Sequence, residues 1–198
     1  MPSSHTPLVD LAHAALAGVV RPGDVAVDAT AGNGHDTVAL ARLVGPSGRV
    51  FAFDVQPVAL SRTAERLKNA GFQNVTLLLR DHAELRDALP PEHHDRLAAV
   101  VFNLGYLPRA DKQVVTRPDT TLPALRTAAE LLRPGGLLSV LGYQGHAEGG
   151  EEMTAVRAEF ERLRAAGWAV SEEASQPGAK PGPHLWLGEK TDFTAEGT

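Results

Sequence analysis

DVAVDATAGNGHDTVALARLV, residues 24–44, passes from an apolar strand-like run through a turn with two glycines into an apolar stripe at helical spacing. The strand covers about 24–30, and the helix runs from Thr37 to Val44 with Asp36 marking its start. Working outward, the same unit recurs. GRVFAFDV (48–55) is strand-like and is followed by a helix from Pro57 to about Ala70, with proline suited to the first turn and Gly71 ending the run. NVTLLLRD (74–81), LAAVVFNLG (97–105) and GLLSVLGY (136–143) are further strands, separated by helical stretches near 82–88 and 119–132. A last helix, Gly150 to Ala166, precedes WAVSEE (168–173) and HLWLGEK (184–190), which the Pro/Gly-rich QPGAKPGP joins as a hairpin. Parallel strands need crossovers, and those crossovers cover both faces of the sheet. The pattern therefore predicts an α/β fold: a doubly wound, mostly parallel seven-stranded sheet with helices on both faces and an antiparallel edge formed by the last two strands, the final one antiparallel. The opening segment, with Leu8, Leu11, Ala12, Ala15 and Leu16 at helical spacing, predicts a helix packed on the outside of the sheet, without a chemical role.

The 198 residues suit one compact domain, 1–198, with an apolar core. The absence of cysteine excludes a disulfide scaffold, a thiolate zinc site, an iron–sulfur cluster and a cysteine nucleophile, and it agrees with a cytoplasmic protein. No apolar run approaches the roughly 20 residues that span a bilayer, and the start lacks the basic region of a signal peptide, so no membrane association is expected. A net charge of -5 argues against a non-specific nucleic-acid coat while leaving a local basic patch for RNA phosphates open. His93 and His94 lie beside PPE without a second ligand pair, so no metal is expected.

In a sheet of this kind ligands bind outside the carboxyl ends of the strands. After the first strand, Gly32 and Gly34 allow close backbone approach, and the helix start offers unpaired N–H groups. A dinucleotide fingerprint would need glycine where Thr37 stands, and a plain βα turn accounts for two glycines equally well. Asp54 separates the two readings: it ends the second strand 20 residues after Gly34, the position from which a carboxylate accepts from ribose hydroxyls. Gln56 stands beside it. Asp81-His82 ends the third strand, where Asp81 can cap the following helix and leave backbone N–H groups for a base. The fourth ends in Asn103-Leu104-Gly105-Tyr106, with an amide, strand-end carbonyls and an aromatic face suited to positioning an amine.

These segments, in order, resemble the glycine-loop, ribose, adenine and catalytic motifs of class I S-adenosylmethionine-dependent methyltransferases. More narrowly, DATAGNGHDT, FDVQ, DH, FNLGYLPRADKQVVT with the threonines at 120–121, and GYQGHAEGGEE resemble the YtqB/MnmM-type family, long labelled rRNA methylases. The resemblance runs from about position 8 to 165. It implies transfer of a methyl group from S-adenosylmethionine to the aminomethyl group of the wobble uridine (5-aminomethyl-2-thiouridine) in the anticodon of tRNA, giving the methylaminomethyl form. It further implies that Gly32, Asn33, Gly34 and Asp36 surround the methionine part of the cofactor, that Asp54 and Gln56 hold the ribose and Asp81 and His82 the adenine, and that Asn103 and Tyr106 lie at the acceptor site.

Methyl transfer needs alignment more than acid–base chemistry, but an alkylamine must be held in its neutral form. The Asn103 side-chain oxygen and the Leu104 carbonyl are expected to accept its N–H bonds, with Tyr106 lining the pocket. Lys112, near Arg109 and Arg117, is a candidate for tRNA phosphates, and Tyr143 and His146 are candidate substrate contacts after the fifth strand. Exposed loop charges are the alternative. Thr116, Thr120 and Thr121 are either substrate contacts or helix caps, while Glu151 and Glu152 suit a first-turn position through the helix dipole. From 174 to 183 the chain departs from the family, which carries several asparagines where Ser175, Gly178 and prolines stand here. Two alternatives stay open: the same cofactor with rRNA or a small amine as acceptor, and an RNA-binding module without catalysis. A homodimer would supply RNA-binding surface that the short chain lacks.

Overall fold

The computed structural model describes residues 7–105, 115–143, 149–175 and 182–192. Its strands are β1 (Val25–Asp28), β2 (Arg49–Asp54), β3 (Val75–Leu79), β4 (Leu97–Leu104), β5 (Leu132–Gly142), β6 (Ala169–Ala174) and β7 (His184–Glu189). The helices are α1 (Leu8–Val19), α2 (His35–Val44), α3 (Pro57–Ala70), α4 (Leu85–Ala88), α5 (Pro118–Leu131) and α6 (Gly149–Ala165). The seven strands form one sheet in the order β3-β2-β1-β4-β5-β7-β6. Each of β1 to β5 runs parallel to its neighbours among them, and β7 inserts antiparallel between β5 and β6. The doubly wound α/β sheet is thus as expected, with one refinement. Because β6 is antiparallel to β7, it runs with the first five strands, so β7 alone is reversed.

The apolar runs are continuous in the central strands because both faces are covered. Along β4, Val100, Phe102 and Leu104 face a core completed by Leu85, by Leu125, Ala128 and Leu131 of α5, and by Val156 and Phe160 of α6. The alternate residues Ala99 and Val101 face Leu16 of α1, Leu40 and Val44 of α2, and Leu67 of α3. Period two in the strand and 3.6 in the helices bring these stripes together. A side chain such as Phe102, fully buried, contributes about 1.5–3 kcal/mol.

β5 begins at Leu132, earlier than the strand expected from 136. Leu132 pairs with Leu97 and Leu137 with Ala99, so the register shifts between them and Pro134-Gly135-Gly136 is absorbed as an irregularity. Gly135 has φ 67°, and a Cβ on Gly136 would lie 2.8 Å from the Arg133 carbonyl oxygen, which is why a turn-like sequence sits inside a strand.

The sheet direction sets the site. β1 is flanked by β2 and β4, so the strand order reverses between β1 and β4 and a crevice opens at their carboxyl ends. Asp28, Asp54, Leu104 and Gly142 end four strands on that edge. No helix among the described residues is long and apolar enough to cross a membrane.

Candidate functional site

The turn after β1 is shaped by glycine. Gly32 has φ 54° and Gly34 φ 79°, and Gly34 occupies the position before α2 in the left-handed region. A Cβ on Gly34 would lie 3.0 Å from the Thr63 Cα of α3, so loop and helix meet through bare backbone. Asn33 is tied to the same helix: its side-chain oxygen accepts from Arg62 Nη1 at 3.2 Å and its carbonyl from Arg66 Nε at 2.7 Å.

Beneath the turn, Asp28 is fully buried. It accepts from Thr37 Oγ1 at 2.5 Å and from the Thr30 N–H at 3.1 Å. Burial, and then the nearby negative charge of Asp36, push its carboxyl up to about 7 against the pull of those two hydrogen bonds. Asp54 spans the crevice from β2: Oδ2 accepts from the Gly32 N–H and Oδ1 from the Gln56 N–H, each at 2.9 Å. Each carboxylate oxygen carries a second lone pair, so Asp54 is fixed by backbone and still able to receive two hydroxyl donors. Gln56 is the residue before α3, and its backbone makes the contact with Asp54.

Asp81 caps the turn His82–Glu84 by accepting from the Ala83 N–H at 2.8 Å, as expected. The His82 ring is buried edge-on against Phe102, with centroids 5.6 Å apart. Burial holds its pKa below the ordinary histidine value, and Nε2 has no hydrogen-bond partner among the described residues. The imidazole is thus packed beneath the turn, with Nε2 3.9 Å from Asp81 Oδ1.

Asp36 departs from the sequence expectation. It lies in the first turn of α2 rather than capping it, since Gly34 takes the cap position. Its carboxylate instead joins two other elements: Oδ1 accepts from His13 Nε2 of α1 at 2.6 Å, and Oδ2 from Asn103 Nδ2 of β4 at 3.4 Å. Asn103 is also held by its backbone N–H, which donates to Thr30 Oγ1 at 2.7 Å. The hydrogen bond that His13 donates to Asp36 raises the His13 pKa above its ordinary value. The opening helix packs on the outside of the sheet as expected and, through His13, also touches the residues at its carboxyl edge. The apolar stripe hid this: Ala12 and Leu16 bury onto the sheet and turn the intervening His13 toward α2.

A second cluster missed in the sequence closes the ends of the segment after β4. The Gly105 N–H donates to Thr116 Oγ1 at 3.0 Å, and the Thr116 N–H returns to the Gly105 carbonyl at 3.2 Å. Thr116 Oγ1 donates to Glu152 Oε2 at 2.8 Å, and Thr121 Oγ1 to Glu152 Oε1 at 2.7 Å. Glu152 is buried in α6, so its role is to bind α5 and the strand-end segment, beyond the helix dipole expected for it. Neither Thr116 nor Thr121 caps α5; the residue before that helix is Arg117, without a side-chain cap.

Tyr143 stands at the end of β5 beside Gly105, whose added Cβ would lie 3.8 Å from the Tyr143 Cβ. Partial burial and the charge of Asp36 raise its phenol pKa. Gly32, Gly34, Asp36, Asp54, Asn103 and Tyr143 thus share the carboxyl edge of the sheet. Tyr106, Lys112 and His146 lie outside the described residues. No group of three or more His, Asp or Glu among the described residues is placed to hold a metal.

This donor set fits an adenosyl sulfonium with an amino-acid tail. Asp54 offers two lone pairs to a ribose diol, the bare Gly32–Gly34 backbone admits close approach, and Asp36 provides negative potential for a cationic ligand.

Comparison with known proteins gives a consistent picture. Residues 50–187 match the family model described as "Putative rRNA methylase". The chain is 38% identical over 168 residues, 80% of its length, to the tRNA (mnm(5)s(2)U34)-methyltransferase, chloroplastic, of Arabidopsis thaliana, and spans 61% of that protein. Among solved structures it resembles a putative rRNA-methylase from Clostridium thermocellum, with TM-score 0.88 and 36% identity, over 94% of this chain and 99% of that one. A putative methyltransferase from Streptococcus mutans in complex with SAH gives TM-score 0.83 and 35% identity over the same shares.

Proposed function

Because the chain belongs to this rRNA methylase family, we propose that it is an S-adenosylmethionine-dependent methyltransferase acting on the aminomethyl group of a modified wobble uridine, 5-aminomethyl-2-thiouridine, in the anticodon of tRNA. The observation that carries the reading is the convergence of the glycine turn, Asp54 and Asn103 at the sheet's switch point, in a chain 38% identical to a protein named for that wobble uridine. The SAH of the Streptococcus mutans structure supports the cofactor.

S-Adenosylmethionine, when bound, supplies a methyl group activated on a sulfonium. The residues of this chain bind and align. Asp54 accepts from the ribose hydroxyls through its remaining lone pairs, the Asp81-His82 turn borders the adenine, and Asp36 faces the cationic methionine end beside Gly32, Asn33 and Gly34. With Asn103 Nδ2 engaged by Asp36, the amide oxygen is left for an N–H of the acceptor amine, and the Leu104 carbonyl takes another. These acceptors orient the amine, while removal from water favours the neutral form that carries the attacking lone pair. By family resemblance Tyr106 lines the pocket, Tyr143 and His146 touch substrate and Lys112 meets phosphate. The reaction is assigned to a single cytoplasmic domain, with a homodimer supplying further tRNA surface.

The test is incubation of the protein and S-adenosylmethionine with tRNA from cells that install the aminomethyl group but do not methylate it, followed by nucleoside mass spectrometry. One methyl gained on the wobble nucleoside is the expected result. No gain with cofactor binding intact by calorimetry would refute the acceptor, and methylation of rRNA in a parallel reaction would establish the second reading, which the family's description favours.

A further inference from the structure

We propose that His13 is a positioning residue of the acceptor site, acting from α1 through the Asp36 carboxylate to hold the Asn103 amide with its oxygen toward the crevice. The inference rests on the reading of Asn103 as the group that meets the acceptor.

The geometry is a chain of three side chains from three elements: His13 Nε2 to Asp36 Oδ1 at 2.6 Å, then Asp36 Oδ2 to Asn103 Nδ2 at 3.4 Å. A carboxylate only accepts, so its second contact must be the NH₂ of Asn103, and the amide oxygen turns away from Asp36. The orientation of an amide is set by such partners alone, and an unconstrained Asn103 would present NH₂ or oxygen to the crevice with comparable ease. Asp36 needs a fixed orientation of its own to do this. Asp36 lies in the first turn of α2, whose start has no side-chain cap, and the 2.6 Å bond from His13 supplies the fixing. The helix that bears His13 is anchored independently, with Leu8 and Ala12 packed on Leu141 and Leu185.

Charge points the same way. Asp36 is the carboxylate that most affects Asp28 by its charge, and it also acts on Tyr143. The charged groups acting on His13 are Asp36 from α2 and Asp10 from its own helix, both favouring imidazolium. A protonated His13 offsets the negative charge of Asp36, and so lessens the tendency of that carboxylate to hold an incoming amine as its unreactive ammonium.

Two measurements on the full-length protein test this. The first needs no RNA. In ¹⁵N-labelled protein the Asn103 side-chain NH₂ signals are expected to be dispersed and to shift toward averaged values in His13→Ala, with recovery in His13→Gln, which keeps an N–H donor at similar reach. Unchanged Asn103 signals in His13→Ala would overturn the proposal. The second is a double-mutant cycle on kcat for methyl transfer at saturating S-adenosylmethionine. His13→Ala is expected to lower kcat on the order of tenfold with KM for tRNA little changed, and Asn103→Ala to lower it further. The double variant should match Asn103→Ala within about twofold, whereas independent effects would multiply. Multiplying effects would overturn the proposal as well. If the wild-type protein transfers no methyl group to tRNA, the proposed function fails while the NMR result still decides whether His13 positions Asn103.

Discussion

Replacing Glu152 with alanine should both destabilise the protein and slow the reaction. Its carboxylate receives Thr121 Oγ1 at 2.7 Å and Thr116 Oγ1 at 2.8 Å, and both Thr121 and Glu152 are fully buried. A hydrogen bond to a charged group contributes about 1.5–3 kcal/mol, so the two together give roughly 3–6 kcal/mol. Removing a carboxylate that is costly to bury returns part of this, leaving a net loss of about 2–4 kcal/mol. For a chain of this size that is a fall in Tm of roughly 4–16 °C. Thr116 also holds the Gly105 N–H through the same hydroxyl, so the lost anchor loosens both ends of the segment that carries Tyr106 and Lys112. Urea unfolding should report the stability loss, and kcat should fall while the S-adenosylmethionine Kd stays within about twofold, because Asp54 and the glycine turn are untouched. Glu152→Gln keeps one acceptor and should lose about half as much, and adding Thr121→Val to Glu152→Ala should cost less than Thr121→Val alone. Wild-type stability in Glu152→Ala, or strictly additive losses in the pair with Thr121→Val, would refute the reasoning.

Two further outcomes follow from the glycine turn and the acid beneath it. Asp28 keeps its proton in the folded state up to about pH 7, whereas an unfolded aspartate releases it near 4, so the folded state binds more protons in that window. Stability should therefore decline as pH rises from about 4 to 7 and level off above, by on the order of a few kcal/mol, and Asp28→Asn should flatten the decline; an identical slope in urea titrations of the variant would contradict this. Gly34→Ala places a Cβ at positive φ and 3.0 Å from the Thr63 backbone, and should cost about 2–4 kcal/mol and weaken cofactor binding at least tenfold by calorimetry. Unaltered stability and affinity would show that the turn relaxes.

The sequence alone was sufficient for the sheet and for the polar residues that end its strands. Each of the first five strands is followed by a helical segment, so the apolar periodicities switch in view of a linear reading, and residues just past or at strand ends, such as Asp54 and Asp81, can be picked out without knowing what they touch. The paired glycines, and Asp54 at its fixed distance from them, depend on local backbone geometry that neighbouring residues encode. β5 misled because Pro134-Gly135-Gly136 is punctuation in isolation, and only pairing with β4 draws it into the sheet.

What the tertiary structure alone decided are the contacts between elements that no periodicity links. His13 and Asp36 are 23 residues apart, Asp36 and Asn103 67, and Glu152 stands 36 from Thr116 and 31 from Thr121. In the chain these are a histidine on a solvent-side helix position, a first-turn aspartate and a helix-start glutamate, each with an ordinary local explanation. Their partners are set by the crossovers that bring α1 beside α2 and α6 beside α5. A buried carboxylate must find donors wherever packing leaves them, so its role is a property of the assembled layers rather than of the residues beside it.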